Sequence, residues 1–403
     1  MRLDDATNGI RFAAAAALGL IAVMESTTSA QQERKDVPRL GNGAFSSAAF
    51  SPDGRYLLTT SGHHARTGIH VQLWDAQTGT ELRRFEGHTE RVVNAVFSPD
   101  AKQILTGGGG EHAMTIPKDT SARLWDVDSG KELQRLQHGA LVYTTLFSPD
   151  GEQVLTVSKE NNACLWEKTR GRLLFRFNVY EDLYHQDRYL DVFAPASFSP
   201  DGHKILGKTR QRGYVATIWD AKTSKEVARI AGDSRGLRTA IFSPNGDLIL
   251  TASSDRTART WSIETGEPVQ EFRGHEGTVS SAVFLKNGER VVTASLDRTV
   301  RLWDAKTGAE LKRFTHPGEV KYALISADGA RILAKWETVG LNSQRNYYAT
   351  LWDAQSGAEI KQFPLRQNSS IAILSPSGDQ ILVTTDRTTL LDAKTGNIIH
   401  EYE

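Results

Sequence analysis

The sequence lacks several features that would point to particular protein classes. It has one cysteine, Cys164, so no disulfide can form within the chain, and its 48 basic side chains are balanced by 48 acidic ones. A chain without net charge has no overall field to attract nucleic acid, so we expect no nucleic-acid partner. The longest apolar run, residues 12–24, is shorter than the ~20 residues that a membrane-spanning helix needs. The sequence therefore predicts no membrane span.

The first 30 residues have the order of features found in a secretory signal peptide. Arg2 and Arg11 precede the apolar run, and small residues up to Ala30 fit a signal-peptidase site. We therefore expect a signal peptide over residues 1–30, a linker over residues 31–41, and export to the periplasm or the medium. Two acidic residues near the start weaken the positive charge of this segment, so an uncleaved anchor and a cytoplasmic protein remain as alternatives.

Two short phrases recur eight times along the rest of the chain. Copies of a phrase similar to F-S-P-D-G begin at Phe50, Phe97, Phe147, Phe198, Phe242, Phe284, Ile325 and Leu374. Each is followed by a phrase similar to L-W-D-A-x-T-G, beginning at Leu73, Leu124, Leu165, Ile218, Thr260, Leu302, Leu351 and Leu390. A period of about 40 to 50 residues is typical of propellers and solenoids, and it argues against a conventional two-domain enzyme.

Each repeat has the pattern of four short strands. The S-P-D-G and A-x-T-G phrases are turns, the segment between them contains an apolar run and an alternating strand with the Trp, and no repeat shows helical periodicity. A single four-stranded sheet leaves apolar faces uncovered, so the repeats must pack against each other. We predict an all-β, eight-bladed propeller of antiparallel blades over residues 42–403, monomeric, with seven blades and a spare repeat as the alternative.

The repeated phrases resemble the WD-repeat β-propeller family from about residue 42 to the C-terminus. The resemblance implies that a His, a Ser or Thr, an Asp and the Trp form a structural hydrogen-bonded set within a blade. Two repeats carry the complete set, and others carry parts of it. The complete sets are His88, Thr106, Asp119 and Trp125, and His275, Thr293, Asp297 and Trp303. The family also implies scaffold work. We therefore expect these residues to hold the blades together and to take no part in catalysis.

Spacing between the repeated phrases shows where extra residues are inserted. From the Phe position to the Trp position the plain repeats take 19 residues, but the first, second, fourth and seventh take more. From the Trp position to the next Phe position the usual distance is 22 or 23 residues, but the distance from Trp166 to Phe198 is 32. Because antiparallel strands reverse at every turn, we expect all these insertions at one end of the ring. Recognition residues are often on such loops, although neutral drift of tolerated loops is the alternative. The candidate partner-binding residues are Tyr184, Tyr189, Arg210, Arg212, Trp336 and Tyr347.

An enzymatic alternative is suggested by histidines on the same predicted loops. His63, His64 and His112 could form the metal site of a hydrolase or lactonase, but no HExxH spacing is present. The sequence also lacks a G-x-S-x-G elbow and a glycine loop that leads from a strand into a helix. We therefore expect a non-enzymatic protein without metal or cofactor that binds another protein or a peptide through its loop-rich face.

Overall fold

The computed structural model describes residues 45–61, 70–109, 119–160, 162–179, 196–210, 214–231, 236–285, 287–326, 328–340, 344–365, 372–384 and 388–402. The segments predicted as signal peptide and linker lie outside these ranges. The same holds for several candidate site residues, namely His63, His64, His112, Tyr184, Tyr189 and Arg212. No helix in the described part of the chain has the length and apolar composition needed to cross a bilayer.

The described residues form 32 strands in eight four-stranded antiparallel sheets, blades 1 to 8, each built from four consecutive strands. The strands of blades 1 and 2 are β1 (Phe45–Phe50), β2 (Tyr56–Ser61), β3 (His70–Asp75), β4 (Glu81–Glu86), β5 (Val92–Phe97), β6 (Gln103–Gly108), β7 (Ser121–Asp126) and β8 (Glu132–Gln137). Those of blades 3 and 4 are β9 (Val142–Phe147), β10 (Gln153–Ser158), β11 (Asn162–Glu167), β12 (Arg172–Asn178), β13 (Ala196–Phe198), β14 (Lys204–Arg210), β15 (Tyr214–Asp220) and β16 (Glu226–Ala231).

The second half of the ring is likewise built from four-stranded blades. Blades 5 and 6 contain β17 (Leu237–Phe242), β18 (Leu248–Ser253), β19 (Ala258–Ser262), β20 (Pro268–Phe272), β21 (Val279–Phe284), β22 (Arg290–Ser295), β23 (Thr299–Asp304) and β24 (Glu310–Thr315). Blades 7 and 8 contain β25 (Glu319–Ile325), β26 (Arg331–Val339), β27 (Arg345–Asp353), β28 (Glu359–Leu365), β29 (Ala372–Leu374), β30 (Gln380–Thr384), β31 (Thr388–Asp392) and β32 (Ile398–Tyr402). The predicted eight-bladed, all-β fold is confirmed, and no repeat is spare.

The S-P-D-G phrase forms the turn between the first and second strands of a blade. In blade 1 the Ser51 hydroxyl donates to the Asp53 carboxylate at 2.6 Å and accepts the Tyr56 amide at 2.9 Å. Gly54 completes the turn at φ 73°, a left-handed conformation that glycine adopts without a steric cost. The turn itself therefore explains the serine and aspartate of the phrase, but blade 6 forms the same turn with Leu285 at the serine position and keeps the glycine, Gly288, at φ 74°.

Packing between the first and last blades closes the ring. The first strands of neighbouring blades contact each other around the axis, as β1 does with β5 and β5 with β9. Leu57 and Trp74 of blade 1 belong to the same buried cluster as Leu390 and Leu391 of blade 8. Each of these blades is complete in its own four strands among the described residues, so closure at this junction comes from apolar packing between sheets.

Strand direction divides the connections between two rims of the ring. The turns from the first to the second and from the third to the fourth strand lie on one rim, here called the turn-bearing rim. The other connections lie on the opposite, loop-bearing rim. The long connections follow β2, β6 and β12, with 8, 12 and 17 residues, whereas only three residues separate β14 from β15 and five separate β26 from β27. All of them attach to strand ends on the loop-bearing rim, as the sequence predicted.

The seventh insertion differs from the prediction because it lengthens strands. β26 and β27 have nine residues each and pair along their whole length, from Arg331 with Asp353 to Val339 with Arg345. This pairing satisfies the backbone of the extra residues within the sheet. The insertion therefore forms an extended hairpin, here called the blade 7 hairpin, at the loop-bearing rim.

The predictions that Trp336 and Tyr347 are exposed partner-binding residues are wrong. Trp336 is 2% exposed, its indole Nε1–H donates to Thr350 Oγ1 at 2.8 Å, and its ring stacks on that of Tyr348 with centroids 4.4 Å apart. Tyr347 is buried as well. Because both residues lie inside paired strands, their rings pack within the protein, and their contribution is to the stability of blade 7.

Candidate partner-binding face

The two complete hydrogen-bonded sets lie inside blades 2 and 6. In blade 2 the Trp125 indole Nε1–H donates to Thr106 Oγ1 at 2.9 Å, and this oxygen lies 2.7 Å from Nε2 of His88. Nδ1 of His88 is 2.8 Å from a carboxylate oxygen of Asp119. All four side chains are buried. Blade 6 repeats this geometry with distances of 2.8, 2.7 and 2.8 Å between His275, Thr293, Asp297 and Trp303.

Buried charges complete these sets. Burial opposes ionisation of Asp119, but hydrogen bonds from His88 and Ser121 hold its carboxyl pKa well below the ordinary value. Arg123 donates to Asp119 at 3.0 Å and to Glu132 at 2.9 Å. Burial is the largest influence on His88 and lowers its pKa, so the ring is neutral at pH 7. Its Nδ1–H therefore donates to the carboxylate, and its Nε2 accepts the threonine hydroxyl.

These sets join the second and third strands of a blade to the segment that precedes its first strand. Every polar atom of the blade 2 set has a partner within the protein, and its members are at most 6% exposed. Such satisfied, solvent-excluded groups stabilise a fold and leave no donor for a substrate. The geometry supports the structural role that the family resemblance implied.

Blades 3 and 5 contain partial sets. In blade 3 the Thr156 hydroxyl lies 3.0 Å from His138 Nε2 and accepts the Trp166 indole N–H at 2.8 Å. Burial lowers the pKa of His138 to about 4. In blade 5 the indole of Trp261 donates to Thr251 in the same way, at 2.8 Å. Loss of one member therefore leaves the threonine–tryptophan bond intact.

Blade 7 has an incomplete hydrogen-bonded set, which the sequence analysis did not identify. Ala334 lies two residues after Ile332, which pairs with Trp352, so it occupies the position that Thr293 has in blade 6. His316 lies beside Trp352 with ring centroids 5.4 Å apart. Within the described residues, His316 Nε2 and Trp352 Nε1 are buried without hydrogen-bond partners. The sequence does show this departure: the apolar run of the seventh repeat ends in Ala334, where the runs of blades 2 and 6 end in Thr106 and Thr293.

Replacing Ala334 with threonine is expected to stabilise the protein. The new hydroxyl would accept the Trp352 N–H and donate to His316, and satisfying buried polar groups contributes about 1–2 kcal/mol. Ala334→Val is the matched control, because valine has the same shape without the hydroxyl. Urea unfolding should therefore give a more stable Thr variant than Val variant, by at least ~1 kcal/mol. Equal stabilities of the two variants would contradict this interpretation.

An ionic cluster with a buried pair, Lys321 and Glu337, anchors the blade 7 hairpin at the loop-bearing rim. One carboxylate oxygen of Glu337 accepts from Lys321 Nζ at 2.9 Å and from Arg345 at 2.8 Å. Lys321 also donates to Glu319 at 2.9 Å. The side chains of Glu337 and Lys321 are 5% and 9% exposed, so this pair is screened little by water. The cluster joins β25, β26 and β27 where they reach the rim.

Beside this cluster, Lys335 lies between two aromatic rings. Its Nζ is 5.8 Å from the ring centre of Tyr322 and 5.9 Å from that of Tyr347. Burial lowers the pKa of Lys335 to about 8, and the nearby charge of Glu337 opposes that shift. The polar groups of blade 7 are thus concentrated under the hairpin, whereas in blades 2 and 6 they surround the tryptophan.

The tip of the hairpin presents an apolar side chain to solvent. Val339, the last residue of β26, is 64% exposed. Arg210, another predicted partner-binding residue, is the last residue of β14 and pairs with Tyr214, which places its backbone at the same rim. No group of three or more potential metal ligands occurs within the described ranges. The described part of the rim therefore offers a rigid hairpin with an exposed apolar end.

Comparison with known proteins agrees with this architecture. Four segments match the family model described as "WD domain, G-beta repeat", namely residues 79–126, 130–167, 224–262 and 266–304. An uncharacterized WD repeat-containing protein of Deinococcus radiodurans is 35% identical over 99 residues, which are 24% of this chain and 34% of that protein. The small ribosomal subunit protein RACK1y of Oryza sativa subsp. japonica is 33% identical over 109 residues, 27% of this chain and 29% of that protein. The chain thus spans about a third of the length of these relatives.

A solved structure shares the fold over almost the entire ring. The C-terminal WD40 domain of Sif2 superposes with a TM-score of 0.66 and 18% identity, and the match covers 86% of this chain and 95% of that domain. At this identity the likeness concerns the fold. With its eight repeated motifs, its ring of four-stranded blades and the matched repeat segments, the chain belongs to the WD-repeat β-propeller family.

Proposed function

We propose that the protein is a non-enzymatic scaffold that binds another protein through its loop-bearing rim. The observation that carries this proposal is the attachment of every longer connection to that one rim, while the opposite rim carries short turns. A rigid ring with variable connections on one side is a common arrangement for recognition. The relatives support a scaffold role, since RACK1y is named as a protein of the small ribosomal subunit.

The blade 7 hairpin supplies the most defined part of this surface. Lys321, Glu337 and Arg345 hold the hairpin rigidly, so little conformational entropy is lost when a partner binds it. Val339 provides an apolar contact at its end. Tyr184 and Tyr189, in the connection between β12 and β13, are retained as candidate contacts because tyrosine contributes strongly to protein interfaces.

The proposal predicts that a partner is lost when this rim is altered. A variant with Tyr184→Ser, Tyr189→Ser and Val339→Asp should capture at least ~10-fold less partner from a host extract than the wild-type protein does. A 10-fold loss of affinity corresponds to about 1.4 kcal/mol of binding free energy. The matched control, Val227→Asp with Leu82→Ser and Leu311→Ser, changes exposed aliphatic residues on outer strands. It should capture the partner as the wild-type protein does.

Melting temperatures of both variants show whether either substitution set disturbs the fold. All described residues in these sets are exposed, so each set should change stability little. Normal capture by the rim variant would contradict the proposed face. Loss of capture by the outer-strand variant alone would assign binding to the circumference of the ring.

A further inference from the structure

A cavity of about 410 Å³ lies between blades 5 and 6. Its walls include Leu248 of blade 5 and Phe284 and Ala305 of blade 6, and Asn245 and Lys306 belong to its turn-bearing side. The turns of these two blades therefore surround it on the rim opposite to the proposed partner-binding face. Cavities of about 300–1,000 Å³ with mainly apolar walls are typical of small-molecule sites.

Thr260 lines this cavity and departs there from the repeat. It precedes the tryptophan of blade 5, at a position where every other blade has leucine or isoleucine. In blade 2 that residue, Leu124, packs against Phe147 of the next blade, and in blade 4 Ile218 packs against Phe242 and Ile263 of blade 5.

At the junction of blades 5 and 6, the shorter threonine lies with Phe284 and Ala305 in the wall of the cavity and widens it. Every other junction of the ring has a longer aliphatic side chain at this position, so the cavity is a local departure from the repeat.

The threonine also brings a polar atom into an apolar junction. Thr260 is 1% exposed, and among the described residues its Oγ1 is buried without a hydrogen-bond partner. A buried hydroxyl without a partner costs about 1–3 kcal/mol, which any group able to pair with it would recover. A leucine would have occupied part of the space without this cost. The junction therefore combines an empty apolar volume with an unsatisfied hydroxyl.

We propose that the cavity between blades 5 and 6 binds a small, mainly apolar molecule with one hydrogen-bonding group that pairs with the Thr260 hydroxyl. The apolar part of the ligand lies against Leu248, Phe284 and Ala305, where the other blades place an aliphatic side chain. The site is independent of partner binding, because it lies on the turn-bearing rim.

Binding of phenol and toluene to the full-length protein tests this proposal. Both probes have the same ring, but only phenol carries a hydroxyl. In saturation-transfer NMR at about 1–10 mM probe, the wild-type protein should bind phenol at least ~5-fold more tightly than toluene, the preference expected for one recovered hydrogen bond. Absence of saturation transfer from the protein to both probes would overturn the proposal.

Two substitutions at Thr260 separate the roles of volume and hydroxyl. Thr260→Leu narrows the cavity with the residue found in other blades and removes the hydroxyl, so it should weaken binding of both probes and remove the preference for phenol. Thr260→Val keeps the volume and should remove the preference for phenol. Thr89→Leu, an exposed position on the loop-bearing rim, is the control and should bind like the wild-type protein. Unchanged binding in Thr260→Leu, or an unchanged preference in Thr260→Val, would contradict the assigned site.

Discussion

Lowering the pH from 7 to 5 is expected to reduce the free energy of unfolding by at least about 4 kcal/mol, the sum of the contributions of His138 and His316. Burial lowers the pKa of His138 and of His316 to about 4, whereas an unfolded histidine has a pKa near 6.5. Between these two values the unfolded chain binds more protons than the folded chain, so stability falls as the pH falls. Each histidine then contributes a loss of about 2 kcal/mol at pH 5.

The carboxylates of the hydrogen-bonded sets respond at lower pH. Burial is the largest single influence on Asp119 and Asp297 and raises their pKa values, but hydrogen bonds from histidine, hydroxyl and backbone groups together hold these pKa values well below the usual range. Their stabilisation is present above the unfolded pKa of about 3.9 and is lost only as the pH falls below it. Loss of stability between pH 7 and 5 therefore reports on the histidines.

Urea unfolding at pH 7 and pH 5 separates these contributions. The double variant His138→Gln, His316→Gln should be less stable than the wild-type protein at pH 7, but its stability should change by about 4 kcal/mol less between the two pH values. Glutamine retains a hydrogen-bonding side chain without a titratable group. An equal pH dependence of both proteins would show that these two histidines titrate normally in the folded state.

Trp336→Ala is expected to destabilise the protein by about 3–5 kcal/mol. Its ring is fully buried, stacks on Tyr348 and donates a hydrogen bond to Thr350, so truncation creates a cavity and removes these contacts. An exposed residue of a binding surface would change stability by only about 0.5 kcal/mol. The experiment therefore distinguishes a core residue from a partner contact.

Val339→Ala is the matched comparison for this prediction. Val339 lies on the same strand, three residues beyond Trp336, and is 64% exposed. Thermal or urea unfolding should show little change for this variant, within about 0.5 kcal/mol. A small effect of Trp336→Ala, comparable to that of Val339→Ala, would argue that the hairpin packs more loosely than the structure indicates.

Much of the ring could be predicted from the sequence because its turns are formed by residues that are close together in the chain. The Ser51–Asp53 turn depends on neighbouring residues, and its phrase recurs in every repeat. Blade 7 was harder, because the spacing reveals how many residues are inserted without showing whether they pair. The nine-residue pairing of β26 with β27 is a contact between distant residues, and it reversed the expected exposure of Trp336 and Tyr347.

Candidate sites were predictable where the repeat was intact. The family resemblance implied that Thr106 and Trp125 belong to one set, and the structure brings them together at 2.9 Å. Where a repeat departs from the pattern, the structural effect could not be predicted from the sequence. Within the described ranges, Ala334 leaves Nε2 of His316 without a hydrogen-bond partner, and Thr260 lines a cavity, yet both look like conservative changes in the sequence. Their effects depend on facing strands and neighbouring blades, which local sequence patterns do not specify.

Site-specific photocrosslinking tests the partner-binding rim most directly. A photoreactive benzoylphenylalanine is placed at position 339 on the loop-bearing rim, at position 222 in an exposed turn of the opposite rim, or at position 227 on an outer strand. The proposed function predicts a discrete crosslinked partner from position 339 and none from positions 222 and 227. A partner crosslinked from position 222 or 227, with no product from position 339, would contradict it.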